Sequence, residues 1–488
     1  MSSEENLQGP GPLAARRPGR PPGSSPGLAA SRSLAALALL LTLLSSGCSP
    51  GVDPVRDPDR LPEAAATGAQ GSLLAEAELL PSPAPSGAQA PELSLVGGRP
   101  ALTWLERTGE DSGDWRLRFA RWSAGSGQPA EPGGFGEPVT VAPAPGEPLE
   151  LFANWADRPG VVEGGPAGAP GGVAQSRPLY AWWLAKLGGG TYAYGVHVAR
   201  SVDGGRTWEA LGLLHDDSSP TEHGFVTLIP EDEGVRAVWL DGRETARGAP
   251  MALRTVRITD RVERATEELL DSAVCDCCNT AAVATAGGPL VAYRDRAAGE
   301  VRDIRTVHRT AGTWSEPAPL HRDGWEIAGC PVNGPALARH AAPRSGPEGE
   351  TVWAAWFTAA GGEPRVLAAV SRDGGRSFGP PLAVADDGPL GRLDLAVDAA
   401  RGDAVVSWLG ASESGAAAIR LRRLGRDGRA GPAVALARAA GSRSSGVPRL
   451  LAYPSADGER LLVAWVEPAE GAREGAIRLA TLPAAAVP

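Results

Sequence analysis

The stretch Val352-Trp353-Ala354-Ala355-Trp356-Phe357 is short, apolar on both of its faces and bounded by polar segments. An apolar run of this length reads as a strand covered on both sides, with a Trp near its end as a large packing anchor. Working outward, the same strand recurs at residues 100–105, 179–184, 235–240, 290–294, 404–409 and 462–466. The anchors are Trp104, Trp182, Trp239, Tyr293, Trp356, Trp408 and Trp465, spaced by roughly 50 to 60 residues after one longer first interval. Alternating segments such as residues 115–122, 195–201 and 419–424 follow the central strands as third strands. One such unit cannot bury both faces of its sheet, whereas units stacked radially can. The expectation is an all-β chain forming a β-propeller of four-stranded blades, with seven units counted and six the alternative.

Composition agrees with that class: 64 Gly, 45 Pro and 14 Trp in 488 residues indicate many turns and many anchors rather than long helices. A formal charge of -10, with no Lys/Arg-dense stripe in the repeating part, gives no basis for binding nucleic acid. Near the start, arginines at 16, 17, 20 and 32 precede the apolar run 34–44, which is too short for the ~20 residues of a membrane span and reads as an export signal. Residues 44–48, Leu-Ser-Ser-Gly-Cys, resemble a bacterial lipobox, which implies acylation of Cys48 and anchoring to the cell envelope. The expected division is signal 1–47, lipidated Cys48 and flexible linker 48–92, and a single propeller 93–488. Within the linker, the apolar stretch 73–80 reads either as tether or as a strand closing the ring.

Two turns, Ser201-Val-Asp203-Gly204-Gly205-Arg-Thr207-Trp208 and Ser371-Arg-Asp373-Gly374-Gly375-Arg-Ser377-Phe378, each follow a third strand. Here the chain resembles the sialidase-like propellers with BNR repeats, whose Asp-box reads Ser-x-Asp-x-Gly-x-Thr-Trp. The resemblance implies that Asp203, Gly205, Trp208, Asp373, Gly375 and Phe378 serve the fold, on turns away from the ligand face. It transfers no catalytic residue: the early Arg-Ile-Pro signature of sialidases is absent and the chain has only five Tyr. Cys-x-Cys-Cys, Tyr-Arg-Asp and Gly-Cys-Pro-Val-Asn-Gly-Pro together are similar to a subset of sialidase-like lipoproteins of unassigned role.

In a propeller the segments leading into the innermost strands open on one face. Four of the five Cys (Cys275, Cys277, Cys278 and Cys330) fall in such segments, as do His223, Asn154, Asp276, Asn279, Asn333, Asp394 and Arg449. The fourth unit adds Tyr293, Arg294, Asp295, Arg302 and Asp303, charges on strands otherwise apolar. His223, Arg294, Arg302, Asn333, Asp394 and Arg449 are the candidate ligand-binding residues, for a glycan or other small polar ligand. Should the chain be an enzyme, Tyr293, Arg294, Asp295, Arg302 and Asp303 are the catalytic candidates, for a divergent exo-sialidase or other glycoside hydrolase. For the four Cys, structural disulfides, a soft-metal site for copper or zinc with His223, and redox thiols all stay open.

Overall fold

The computed structural model describes residues 75–109, 114–123, 133–144, 146–165, 177–340, 350–411, 417–468 and 475–488. These residues form seven antiparallel sheets arranged as the blades of a propeller. In chain order the innermost strands are Gln89–Val96, Gly160–Glu163, His223–Pro230, Ala281–Thr285, Ala336–His340, Gly391–Val397 and Arg449–Ser455, opening blades 1 to 7. Each pairs with a long second strand that carries the apolar run, then a third and an outer strand. In blades 1 and 4 the outer position is shared by two short strands. The outer strand of blade 7 is Glu78–Leu80, from the N-terminal side, paired with Ala476–Pro483. Part of the segment before residue 93 thus belongs to the ring, which closes the last blade with the first stretch of the propeller chain.

The core lies between blades. All seven anchors are buried, at 7% exposure or less. Strand alternation decides which neighbour each one meets. Trp104 packs with blade 7, Trp239 with blade 2, Tyr293 with blade 3, Trp356 with blade 4, Trp408 with blade 5 and Trp465 with blade 6. In blade 2 the equivalent residue is Trp183, which faces blade 1; the expected anchor Trp182 faces blade 3. Adjacent Trp residues in one strand point to opposite faces, so spacing alone chose the wrong member of the pair.

The turns at 201–208 and 371–378 join third to outer strands, at the end of the molecule opposite the lead-in segments. Asp203 Oδ1 accepts hydrogen bonds from the N–H groups of Arg206 (2.9 Å) and Thr207 (3.0 Å), while its Oδ2 accepts from the Thr207 hydroxyl (2.6 Å). Gly205, at φ +89°, lies against Phe119 of the preceding blade, where a Cβ would come within 2.4 Å of the ring. Trp208 meets the same ring edge-on at 5.7 Å. Asp373 repeats the arrangement with Ser377. Each turn therefore pins a blade to its neighbour.

Candidate functional site at the channel mouth

The face carrying the lead-in segments holds three groups of unusual side chains. The first lies where blades 1, 6 and 7 meet. Arg449 pairs with Glu92 (2.9 Å) and Asp394 (3.1 Å), and Arg158 with Glu92 (3.0 Å). Burial works against the charge of Arg449, but Asp394 and Glu92 outweigh it. Burial pushes the Asp394 carboxyl above its ordinary range. Sequence reasoning had Asp394 and Arg449; it missed Glu92 and Arg158, whose partners lie in other blades.

Beside this network opens a cleft of about 350 Å³, lined among others by Phe152, Asn154, Trp155, Arg158, Tyr192 and Arg443. Tyr192 is 62% exposed. Arg392 stacks over Trp155 at 4.7 Å and donates to Ser442 O at 2.6 Å. The innermost strands of blades 1, 3 and 6 each carry a register shift at this end, with Ala90, Phe225 and Arg392 in the left-handed region at φ 53°, 53° and 52°. Bulges holding a non-Gly residue at positive φ re-aim side chains at a small cost, and they cluster near functional sites.

The second group adjoins it between blades 2 and 3. Tyr194 donates to Glu222, and Phe152 stacks on Tyr194 at 4.5 Å. Asp157 is buried, and no side chain among the described residues hydrogen-bonds its carboxyl oxygens. Burial pushes its carboxyl up to about 8 against the pull of the Phe225 N–H, with the charge of Glu222 adding to the rise. Burial likewise pushes Glu222 up to about 7. Gly224 is required here, because a Cβ would sit 1.9 Å from Asp157 Oδ2. Tyr194 itself is 0% exposed. Next to it, His223 is buried between Asp217 (3.0 Å) and Asp241 (3.3 Å), under the ring of His215 at 3.9 Å. Burial, with His223 adding, holds His215 down at about 3 and therefore neutral. Glu222 and Asp157 fall in lead-in segments, so their position was legible, but nothing in the sequence shows that burial alters them.

The third group surrounds the start of blade 4. Arg294 is 1% exposed and donates to three carbonyls: Asn333 O (2.8 Å), Phe357 O (2.6 Å) and Arg302 O. Its guanidinium also lies over Trp325 at 4.8 Å. It ties blade 4 to blade 5 and leaves no nitrogen for a ligand. Asn333 accepts from Arg392 N–H at 2.7 Å, reaching on to blade 6. Tyr293 is in the core and donates to Asp271 at 2.6 Å. Asp295 pairs with Arg305 at 2.6 Å, and Asp303 accepts from Gly324 and Trp325 N–H. Arg302 is held by Glu300 at 2.6 Å. The candidates of this unit are thus brought close together, but around each other rather than around an open space.

Among the cysteines, Cys277 and Cys330 form a disulfide, and Cys275 and Cys278 are buried thiols whose sulfurs lie 2.6 Å apart. Cys48 lies outside the described residues. The sulfurs of Cys275, Cys277 and Cys278 fall within 4.8 Å of one another. With Cys277 bonded to Cys330, two thiols remain, and they stand closer than the roughly 3.8 Å separating two sulfurs that share a tetrahedral zinc at ~2.3 Å. His223 is occupied by its two carboxylates. This donor set does not fit a Cys/His metal centre.

Fold and site define a seven-bladed β-propeller with a cleft beside a charged channel mouth. No family model and no curated protein matches the chain. Among solved structures it is similar to a protein of unknown function from Dyadobacter fermentans, at 14% identity and TM-score 0.44, over 84% of this chain and 98% of that one. It is also similar to a Hadza microbial sialidase, at 15% identity and TM-score 0.38 over 66% and 63% of the two chains. A glucose dehydrogenase matches at 16% identity and TM-score 0.40, over 84% and 99%.

Proposed function

We propose that this chain is a sialidase-like, exported and lipid-anchored propeller that binds a glycan at the cleft between blades 7, 1 and 2. The observation carrying this reading is the cleft itself, where Phe152, Trp155 and Tyr192 lie beside Asn154 and Arg158. Aromatic faces take the apolar side of a sugar ring, and an amide with a guanidinium takes its hydroxyls or a carboxylate. The two Asp-box turns support the sialidase-like description, and they lie at the far end from the cleft. A second reading, a glycoside hydrolase, draws on the Tyr194–Glu222 pair with Asp157 beside it. Tyr194 is fully buried, so it has no approach to an anomeric carbon, and binding is the better account.

The test is a glycan array followed by calorimetric titration of the best ligand. Tyr192→Ala, at an exposed position, is expected to weaken binding by about tenfold, one to two kcal/mol, without moving the melting temperature. An array with no ligand, or unchanged affinity in the variant, sinks the proposal. Turnover of fluorogenic glycosides by the wild type would favour the hydrolase instead.

A further inference from the structure

The four cysteines of the blade 3–4 and 4–5 lead-in segments are not explained by the cleft. Cys277–Cys330 is at the surface, with Cys330 exposed and Cys277 half-buried. Behind it sit the two thiols, Cys275 at 1% and Cys278 at 2% exposure. Cys275 Sγ lies 2.6 Å from Cys278 Sγ and 3.9 Å from the disulfide sulfur of Cys277. Cys275 Sγ thus stands within reach of both its thiol neighbour and the disulfide. A second observation concerns charge. Arg302, held by Glu300, keeps its buried Nη1 without a hydrogen-bond partner among the described residues, and its positive charge acts on Cys275.

We infer that the four cysteines form a thiol–disulfide exchange centre, in which the surface disulfide trades with low-molecular-weight thiols and passes its oxidation inward to the Cys275–Cys278 pair. The inward step needs no outside oxidant. The Cys275 thiolate attacks Cys277 Sγ; the Cys275–Cys277 bond forms, the Cys277–Cys330 bond breaks, and Cys330 leaves as a thiolate that takes up a proton. Cys278, giving up its proton, then attacks Cys275, forming Cys275–Cys278 and releasing Cys277 as the second thiol. Two thiols and one disulfide become one disulfide and two thiols. At the surface, one solvent thiol attacks Cys330 and a second resolves the mixed disulfide, leaving Cys277 and Cys330 reduced and the two solvent thiols joined.

The electrostatics divide the buried pair in the sense the exchange requires. Burial opposes a thiolate at Cys275, but the sulfur contact with Cys278, the Cys277 N–H and the guanidinium groups of Arg294 and Arg302 outweigh it and hold its thiol below the ordinary range. Burial and the same sulfur contact push Cys278 well above it. Cys275 is thus the attacking sulfur and Cys278 the resolving one.

The full chain is equilibrated in glutathione buffers from oxidising to reducing and quenched in acid. Free thiols are labelled with one alkylating reagent and, after reduction, the remainder with a second, and tandem mass spectrometry assigns each label to its residue. The expected result is a population, at least about a tenth at intermediate poise, with Cys277 and Cys330 free while Cys275 and Cys278 are bonded. Cys278→Ser is expected to lose that population and gain Cys275–Cys277 with Cys330 free. If Cys330 is free only in wild-type molecules whose Cys275 and Cys278 are also free, the disulfide is a static staple and the inference falls. The wild-type titration decides this even if the variant does not fold.

Discussion

At the scale of single residues, the buried carboxyl of Asp157 lies near Glu222 on the face of the lead-in segments. Asp157 has the steepest consequence. Burial pushes its folded carboxyl up to about 8, outweighing the Phe225 N–H and the Arg158 charge that pull it down. Between the ordinary carboxyl range near 4 and that value, the folded state holds a proton the unfolded chain has released. The contribution of Asp157 to stability is therefore greatest below this window and falls as pH rises through it, by up to ~1.4 kcal/mol per pH unit. Asp157→Asn, which cannot ionise, is expected to flatten the decline in melting temperature between about pH 5 and about pH 8. An unchanged slope in the variant would mean that Asp157 is ionised in the fold. Arg294 is the buried charge of opposite sign. From sequence it reads as a ligand-facing cation, yet three carbonyls from two blades claim its nitrogens. A buried guanidinium is held by saturation with acceptors, and acceptors from distant loops are invisible to a linear reading.

At the scale of elements, the short strand Glu78–Leu80 carries more weight than its length suggests. Its pairing with residues 479–481 closes the ring, so its loss leaves the third strand of blade 7 as an unpaired edge. A chain beginning at Ala75 is expected to melt at least ~2 °C above one beginning at Ser82, since pairing and contacts worth ~1–3 kcal/mol are removed. Equal melting temperatures would show that the closing strand adds nothing. The blade strands themselves were legible because an apolar run with a terminal aromatic is a local property. The choice between Trp182 and Trp183 was not, because it depends on which face of the sheet meets which neighbour.

At the scale of the whole molecule, the proposed anchor sets where the cleft and the cysteines act. Acylation at Cys48 is expected to place the wild type in the membrane fraction with a lipid-modified Cys48 as its mature N-terminus, measured by mass spectrometry, and Cys48→Ala is expected to move the protein to the soluble fraction. A soluble wild type with unmodified Cys48 would remove the anchor from this account.

The propeller, a count of seven units with six still open, and the common face of the lead-in segments were legible in the sequence alone, since repeat period and strand alternation are written residue by residue; the seven sheets of the fold settled the count. The tertiary structure alone decided which of those segments' side chains are open. Arg294 is consumed by carbonyls of blades 4 and 5, while Glu300 holds Arg302 and Asp217 and Asp241 hold His223, whereas Trp155 and Tyr192, which carry no charge to draw notice, line the cleft. It also divided the four cysteines into one disulfide and one thiol pair. The physical reason is common to both: burial and pairing are set by the neighbours the folded backbone supplies, some from the same segment and some, as for Arg294 and Cys277–Cys330, from the next blade, and residue order alone does not show which.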